Sequence, residues 1–226
     1  MSAAFVVLAS RKTRTWAGIG AFLLALSASG SERPAGEGPK AIPGVKRMAV
    51  PVYGAMLELG MPAGWKLAHE EATKAQYIAE FIPAGQRLDD WQDMITVQGF
   101  RGLGEHSGLT GKIFLRRIAE GFNRTCPGQV LGFGSSERQI DGRPAALALL
   151  GCAKLSANFK QPWRSEYAVY IAVTAGPDLV LIQKARRGPA LPLDRSPLQG
   201  AELESFLAPL QPIKLCSRSA ANPRCP

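Results

Sequence analysis

The sequence predicts an α+β fold in which an antiparallel β-sheet is flanked by helices. Segments with the two-residue periodicity of strands come in two groups, and a segment with helical periodicity separates them. A second helical stripe closes the chain, and tight turns join the strands of the second group. Strands that follow one another through short turns pair antiparallel, so this order favours helices packed against an antiparallel sheet.

The N-terminal 30 residues have the pattern of a secretory signal peptide. Three basic residues at positions 11–14 precede an apolar run from Trp16 to Ala28, and small residues follow. The run of about 13 residues is shorter than the roughly 20 that a helix needs to cross a bilayer, so we expect cleavage after Ala28 or Gly30. Retention as a membrane anchor is the alternative. The mature protein is therefore expected in the periplasm or outside the cell, with no transmembrane segment.

Composition and charge limit the classes of function. Residues 1–30 contain three basic residues and no acidic one, so their removal lowers the formal net charge from +9 to about +6. The remaining basic residues are scattered, which favours a solvated surface or contact with an anionic surface over nucleic-acid binding. About 195 mature residues suffice for one domain with a hydrophobic core, which we expect to be a monomer.

The first half of the chain predicts a linker, a hairpin and a third strand. Residues 31–50 are rich in Pro, Gly and charge, which predicts a flexible linker before a single domain at residues 51–215. Alternating segments at 65–70 and 75–82 predict a hairpin, and a third strand is expected at 94–100. The five glycines between Gly99 and Gly111 then predict a flexible loop.

The second half predicts a helix, an antiparallel meander and a closing helix. Apolar residues four apart from Phe114 to Phe122 predict a helix that begins at Thr110 and stops near Cys126. Ser196 with Gln199 three residues later predicts a capping box at the start of the last helix. The meander strands are expected at 129–136, 145–155, 167–175 and 179–185.

Four cysteines, an even number, suit an oxidising compartment and two disulfides. Proximity in sequence favours Cys126 with Cys152 and Cys216 with Cys225, although four cysteines allow three pairings. Each bridge is worth roughly 3 kcal/mol in the chain-entropy account. Residues 216–226 are predicted to form a cysteine-containing tail beyond the domain.

The order of elements resembles the Mog1/PsbP/DcrB-like proteins, in particular their exported bacterial members. The matching features are Pro62-x-Gly-Trp at the first strand, the hairpin that ends in Phe-Ile-Pro-Ala-Gly at 81–85, and Asp90-Trp91 before Ile-Thr-Val at 95–97. The resemblance covers about residues 51–212. It implies an α/β/α sandwich and a non-enzymatic accessory role, as in a photosystem subunit and a Ran-binding factor. The tail after Leu215 does not belong to this pattern.

No catalytic, cofactor or metal-binding residue is predicted. His69 and His106 are the only histidines, and neither belongs to a helical His-Glu-x-x-His zinc signature. The carboxylates at 89–93 lack the spacing of a calcium loop, and the glycines at 128–134 enter a strand rather than a helix. A Gly-x-Ser-x-Gly elbow is absent from the sequence.

The sequence therefore predicts a non-enzymatic accessory or binding protein of the bacterial periplasm or envelope, acting on an envelope protein partner or an anionic surface. Basic residues would converge if the first helix lay beside the last strand, and the aromatic segment 158–170 offers a protein-binding anchor. Solvated basic faces and core packing of the aromatics are the simpler interpretations. The candidate binding residues are His106, Arg116, Arg117, Trp163, Lys184, Arg186 and Arg187.

Two other functions remain open. A small-ligand carrier would have an apolar pocket between helix and sheet, closed by the loop from Gly99 to Gly111. An envelope hydrolase would use His106 with a carboxylate.

Overall fold

The computed structural model describes residues 44–155, 163–218 and 225. The predicted leader, the linker as far as residue 43 and most of the predicted tail lie outside the described residues. The described part forms ten strands and two α-helices. In chain order these are β1 Val45–Val52, β2 Ala55–Pro62, β3 Trp65–Ala72, β4 Gln76–Pro83, β5 Asp93–Phe100, α1 Gly111–Thr125, β6 Val130–Ile140, β7 Arg143–Cys152, β8 Ser165–Ala175, β9 Asp178–Gly188, α2 Ala201–Leu207 and β10 Lys214–Ser217.

Seven strands form one large antiparallel sheet in the order β3-β4-β5-β9-β8-β7-β6. The predicted hairpin is β3 with β4, and the predicted meander runs from β6 to β9. Tyr77, Ala79 and Phe81 share one buried face of β4, as the alternation predicts. The α+β class with an antiparallel sheet is therefore confirmed.

A second, three-stranded sheet covers one face of the large sheet. Its order is β1-β2-β10, with β2 in the middle. Leu57 and Leu59 of β2 pack with Ile182 of β9 and with Leu210, which follows α2, in one buried cluster. The sequence pattern did not predict this sheet. The layer on this face therefore differs from the predicted helical layer, because it contains more strand than helix.

The small sheet corrects both ends of the predicted domain. Among the described residues, the first strand begins at Val45, so the last residues of the predicted linker belong to a strand. At the other end Cys216 lies within β10, which pairs with β2 and is not part of a loose tail.

Helix α1 covers only half of the opposite face. It packs on β6, β7 and β8, where small side chains such as Ala146 and Ala172 let it approach closely. A Cβ added at Gly111, the first residue of α1, would lie 2.9 Å from the carbonyl oxygen of Ala172. The faces of β3, β4 and β5 are left outside this contact. Within the described residues, no helix is both long and apolar enough to cross a membrane.

The two helices begin differently. The Thr110 hydroxyl accepts a hydrogen bond from the amide of Ile113 at 3.2 Å and so caps α1, at the residue where the sequence predicts that the helical pattern begins. The predicted capping box of the last helix is wrong. Ser196 instead exchanges hydrogen bonds with the backbone of Leu198, and Gly200 occupies the N-cap position of α2. A serine side chain that bonds its own local backbone favours a turn over a helix start.

Both predicted disulfides are present. Cys126, just after α1, is bonded to Cys152 at the end of β7, with their Cα atoms 5.9 Å apart. Cys216 of β10 is bonded to Cys225, with a Cα separation of 5.5 Å. The first bridge fixes the C-terminal end of α1 to the sheet.

The glycine-rich loop before α1 is anchored to the turn between β8 and β9. The amide of Gly102 donates to the Asp178 carboxylate at 2.8 Å, and the amide of Gly104 donates to the carbonyl of Pro177 at 2.9 Å. A Cβ at Gly104 would lie 2.5 Å from the carbonyl oxygen of Asp178, so only glycine allows this close approach. This contact differs from the flexible loop that the sequence predicts.

Candidate functional site

A cleft of about 300 Å³ opens between α1 and the part of the large sheet that α1 leaves uncovered. Its floor comes from β3, β4, β5, β8 and β9, one wall comes from α1, and Trp91 lies at one side. The floor carries polar side chains and the α1 wall is apolar. The cleft is thus the part of this face where polar and apolar groups meet.

A row of side chains crosses the floor through five neighbouring strands. His69 lies opposite Glu80, Glu80 opposite Thr96, Thr96 opposite Gln183, and Gln183 opposite Tyr170. Directly opposed residues in an antiparallel sheet point to the same face, so all five side chains line the cleft. The antiparallel register, rather than any local motif, assembles this row.

Glu80 is the most unusual member of the row. Glu80 is only 6% exposed, and its carboxyl group makes no hydrogen bond or close ion pair with another described residue. Burial raises the pKa of its carboxyl group, while the positive charges of His69 and Arg187 partly oppose that effect. Because this carboxyl group lines the open cleft and is bonded to no other described residue, a ligand in the cleft can reach it.

Arg187 lies at one end of the cleft and is already engaged. Its Nε donates to a Glu166 carboxylate oxygen at 2.8 Å, and its guanidinium carbon lies 3.7 Å from the centre of the Trp91 ring. Its backbone amide donates to the carbonyl of Gln92 at 2.8 Å. Trp91, only 3% exposed, therefore serves as the structural anchor that its place in the sequence suggests.

Aromatic rings supply much of the apolar wall. Phe100 and Phe114 pack edge to face with their ring centres 5.1 Å apart, and Phe122 packs against Tyr170 at 6.3 Å. Ile118 of α1 also lines this wall. In the described parts of the chain, no group of three or more His, Cys, Asp or Glu residues could hold a metal ion. The arrangement suits noncovalent binding of a molecule that has both a polar and an apolar end.

The three basic residues predicted on β9 do not form one surface. Arg187 faces the cleft, whereas Lys184 and Arg186 lie on the other side of the sheet because side chains alternate along a strand. Lys184 donates to the carbonyl of Phe206 at 2.5 Å, and burial lowers its pKa to about 8. Arg186 is paired with Asp93 at 2.8 Å.

The remaining predicted candidates lie elsewhere. Arg116 and Arg117 are exposed on α1, and His106 is exposed in the loop before it. Trp163 has a buried indole nitrogen with no hydrogen-bond partner in the described part of the chain. Of the seven predicted binding residues, Arg187 alone lines the cleft.

Sequence reasoning missed the polar floor residues Glu80, Thr96 and Gln183. Each is a polar residue with an apolar neighbour before it in its strand, and that interruption is the one signal the sequence offers. Their convergence depends on which strands pair, and a local pattern does not contain that information.

Comparison with known proteins identifies the fold. No protein-family model and no curated protein sequence matches the chain. The solution structure of cyanobacterial PsbP (CyanoP) from Synechocystis sp. PCC 6803 is similar, with a TM-score of 0.50 and 13% sequence identity. The match covers 81% of this chain and 98% of that one.

Two further structures are similar at a lower level. The Ran-binding protein Mog1p of Saccharomyces cerevisiae has a TM-score of 0.47 and 11% identity, with 76% of this chain and 96% of that chain covered. A mutant of protein Mog1 gives the same TM-score and identity, with 78% and 98% covered. At these identities the likeness concerns the fold alone. The chain has the Mog1/PsbP-like α+β fold, as its sequence pattern predicts.

Proposed function

We propose that this protein is an exported, non-enzymatic binding protein whose cleft holds a small ligand. The observation that carries the proposal is the Glu80 carboxyl group, which makes no hydrogen bond to another described residue and lies on a polar floor opposite an apolar wall. A volume of about 300 Å³ is at the lower end of the range for ligand pockets. Among the functions open from the sequence, this geometry favours the small-ligand carrier.

The arrangement around Glu80 favours binding over catalysis. A catalytic nucleophile or acid–base pair needs side chains that hydrogen-bond to one another and orient the reacting group. Glu80 has no such bond to another described side chain. His106, the residue that a hydrolase would use, is not among the cleft residues.

Export is supported by the leader pattern and by the two disulfides, which persist in oxidising compartments. We expect the mature chain, purified from the envelope or medium of its own cells, to begin after residue 28 or 30. Its intact mass and N-terminal sequence measure this directly. A full-length chain recovered from the cytosol with reduced cysteines would contradict export.

Native mass spectrometry of the mature protein tests the ligand proposal. We expect a monomer that carries a small-molecule adduct. Ile78→Trp should lose the adduct because Ile78 lines the cleft and an indole would fill it. Leu67→Trp is the matched control, since Leu67 is 48% exposed and outside the cleft. An adduct that both variants retain, or a wild-type protein with none, would contradict the proposal.

An accessory role with an envelope protein partner is the second candidate. β3 is an edge strand of the large sheet, and its Leu67 is one of the few large apolar side chains exposed in the described structure. Exposed sheet edges can pair with a strand of another chain. The same mass measurement distinguishes this role, because it would show a protein adduct instead of a small molecule.

A further inference from the structure

We propose that the cleft selects a small organic cation, namely an amine attached to an apolar body. This inference rests on the proposed function and names the class of ligand. It is drawn from the charge of the cleft, the polar groups of its floor that bond to no other described side chain, and the apolar wall that faces them.

The charge of the cleft is opposite to that of the chain. Three carboxylate residues, Glu71, Glu80 and Glu166, line it against one arginine, Arg187, and one histidine, His69. The whole chain carries a formal net charge of +9. An acidic cleft in a basic protein attracts cations and repels anions.

The ion pairs within the cleft leave Glu80 as the buried negative group. Arg187 is bonded to Glu166 and stacked on Trp91, so its charge is compensated locally. The side chain of Glu71 is 64% exposed at the cleft mouth, and its Oε2 atom lies 3.8 Å from Nε2 of His69. A cation that enters the cleft therefore meets Glu80 as the carboxylate that has no close partner among the described residues.

The floor also offers the acceptors that an ammonium group needs. An ammonium carries three hydrogen-bond donors and no acceptor. Thr96 and Gln183, next to Glu80 in the row, make no side-chain hydrogen bond to other described residues, and Thr96 is 4% exposed. One carboxylate and two neutral oxygens can thus accept the three donors of a primary amine.

The wall opposite the floor explains why the cation should be organic. Phe114, Ile118 and Phe122 of α1 would remain in contact with water around a hydrated inorganic ion, whereas a hydrocarbon body would cover them. Aromatic rings also attract an organic ammonium group. A cleft of about 300 Å³ has room for a body of roughly ten non-hydrogen atoms.

Binding of matched probes by isothermal titration calorimetry tests the inference. The probes are 2-phenylethylamine, 2-phenylethanol and phenylacetate, which share a body and differ in charge, with methylamine as the cation that lacks the body. We expect 2-phenylethylamine to bind about tenfold or more tighter than each of the others, because a hydrogen bond to a charged group is worth about 1.5–3 kcal/mol.

Variants locate the interaction. Glu80→Gln keeps the shape and removes the charge, so it should weaken amine binding about tenfold while 2-phenylethanol binding changes little. Glu71→Gln is the matched control at the exposed mouth, and we expect a change of less than about threefold. Circular dichroism and thermal unfolding confirm that both variants are folded.

The outcomes separate this inference from the proposed function. Equal or tighter binding of 2-phenylethanol or phenylacetate, blocked by Ile78→Trp, would overturn the cation and leave the cleft as a ligand site. Amine binding that Glu80→Gln does not weaken would also overturn it. If no probe binds, the small molecule found on the native protein by mass spectrometry tests the inference instead. A cationic molecule would support it, and a neutral or anionic molecule would overturn it. No adduct at all would overturn both proposals.

Discussion

Removal of the Cys126–Cys152 disulfide should lower the free energy of unfolding by about 3.5 kcal/mol. The two cysteines are 26 residues apart in sequence, so the bridge closes a loop that contains β6 and most of β7. The chain-entropy relation gives about 12 cal/mol/K for a loop of this length, or about 3.5 kcal/mol at 25 °C. For the Cys216–Cys225 bridge, with a separation of 9, the same relation gives about 2.6 kcal/mol.

The assay is equilibrium unfolding in urea under oxidising conditions, followed by tryptophan fluorescence. The variants are Cys126→Ala with Cys152→Ala and, for comparison, Cys216→Ala with Cys225→Ala, since paired substitutions leave no free thiol. For a chain of this size a loss of 3.5 kcal/mol corresponds to a fall in Tm of about 7–14 °C. The second pair should cost less.

Two results would refute the reasoning. A loss below about 1 kcal/mol for the first pair would show that loop closure does not set the contribution of this bridge. A larger loss for the second pair would reverse the expected order. The first pair should also weaken ligand binding more than the second, because Cys152 and Thr125 line the cleft and the bridge fixes the end of α1 beside them.

Three further substitutions have expected outcomes. Gly104→Ala should lower the free energy of unfolding in urea by about 2 kcal/mol, because the added methyl group meets the carbonyl of Asp178. Gly85→Ala is the control: a Cβ at Gly85 has nothing within 4 Å, so stability should change by less than about 0.5 kcal/mol. Lys184 has a folded-state pKa of about 8 against 10.5 in the unfolded chain, so the unfolded state holds more protons between these values and wild-type stability rises with pH there. Between pH 7 and pH 10 the free energy of unfolding of the wild type should rise by on the order of 2 kcal/mol relative to that of Lys184→Met. A difference between the two proteins that stays constant over this range would show that the pKa of Lys184 is not lowered. Because burial raises the pKa of Glu80, the folded state holds its proton more tightly and the wild type loses stability as pH rises above the ordinary carboxyl range. Glu80→Gln lacks this loss and should be the more stable protein above the ordinary carboxyl range, with a difference that shrinks towards pH 4. The opposite trend in urea midpoints would contradict the raised pKa of Glu80.

Local periodicity was sufficient to predict most of the large sheet. The β3–β4 hairpin, α1 and the meander each have their own alternation or helical stripe, and proximity in sequence predicted both disulfides. These elements interact mainly with neighbours in sequence or bury a single face. Their side-chain pattern therefore contains the information that places them.

The small sheet could not be predicted in this way. β2 is buried along nearly its whole length, so its residues do not alternate between apolar and polar. β1 contains charged residues and Pro51, which resemble a linker, and β10 has only four residues. All three strands are stabilised by tertiary pairing, which overrides weak local signals.

The cleft was partly anticipated and partly missed. A pocket between helix and sheet was one of the alternatives that the sequence left open, but its polar floor combines residues from β3, β4, β5, β8 and β9. The face of β4 with Tyr77 and Phe81 was visible from alternation, whereas the meaning of Glu80 on the other face depends on its partners across the sheet.

The position of β2 between the first and last strands affects when the protein can finish folding. Leu57 of β2 pairs with Leu215 of β10, about 160 residues later in the chain. During synthesis β10 emerges about 160 residues after β2, and such distant pairings are slow to form. The sheet edge that β10 covers stays open until then. Until β10 pairs with β2, the chain has not closed the core cluster to which Leu57 and Leu215 both belong.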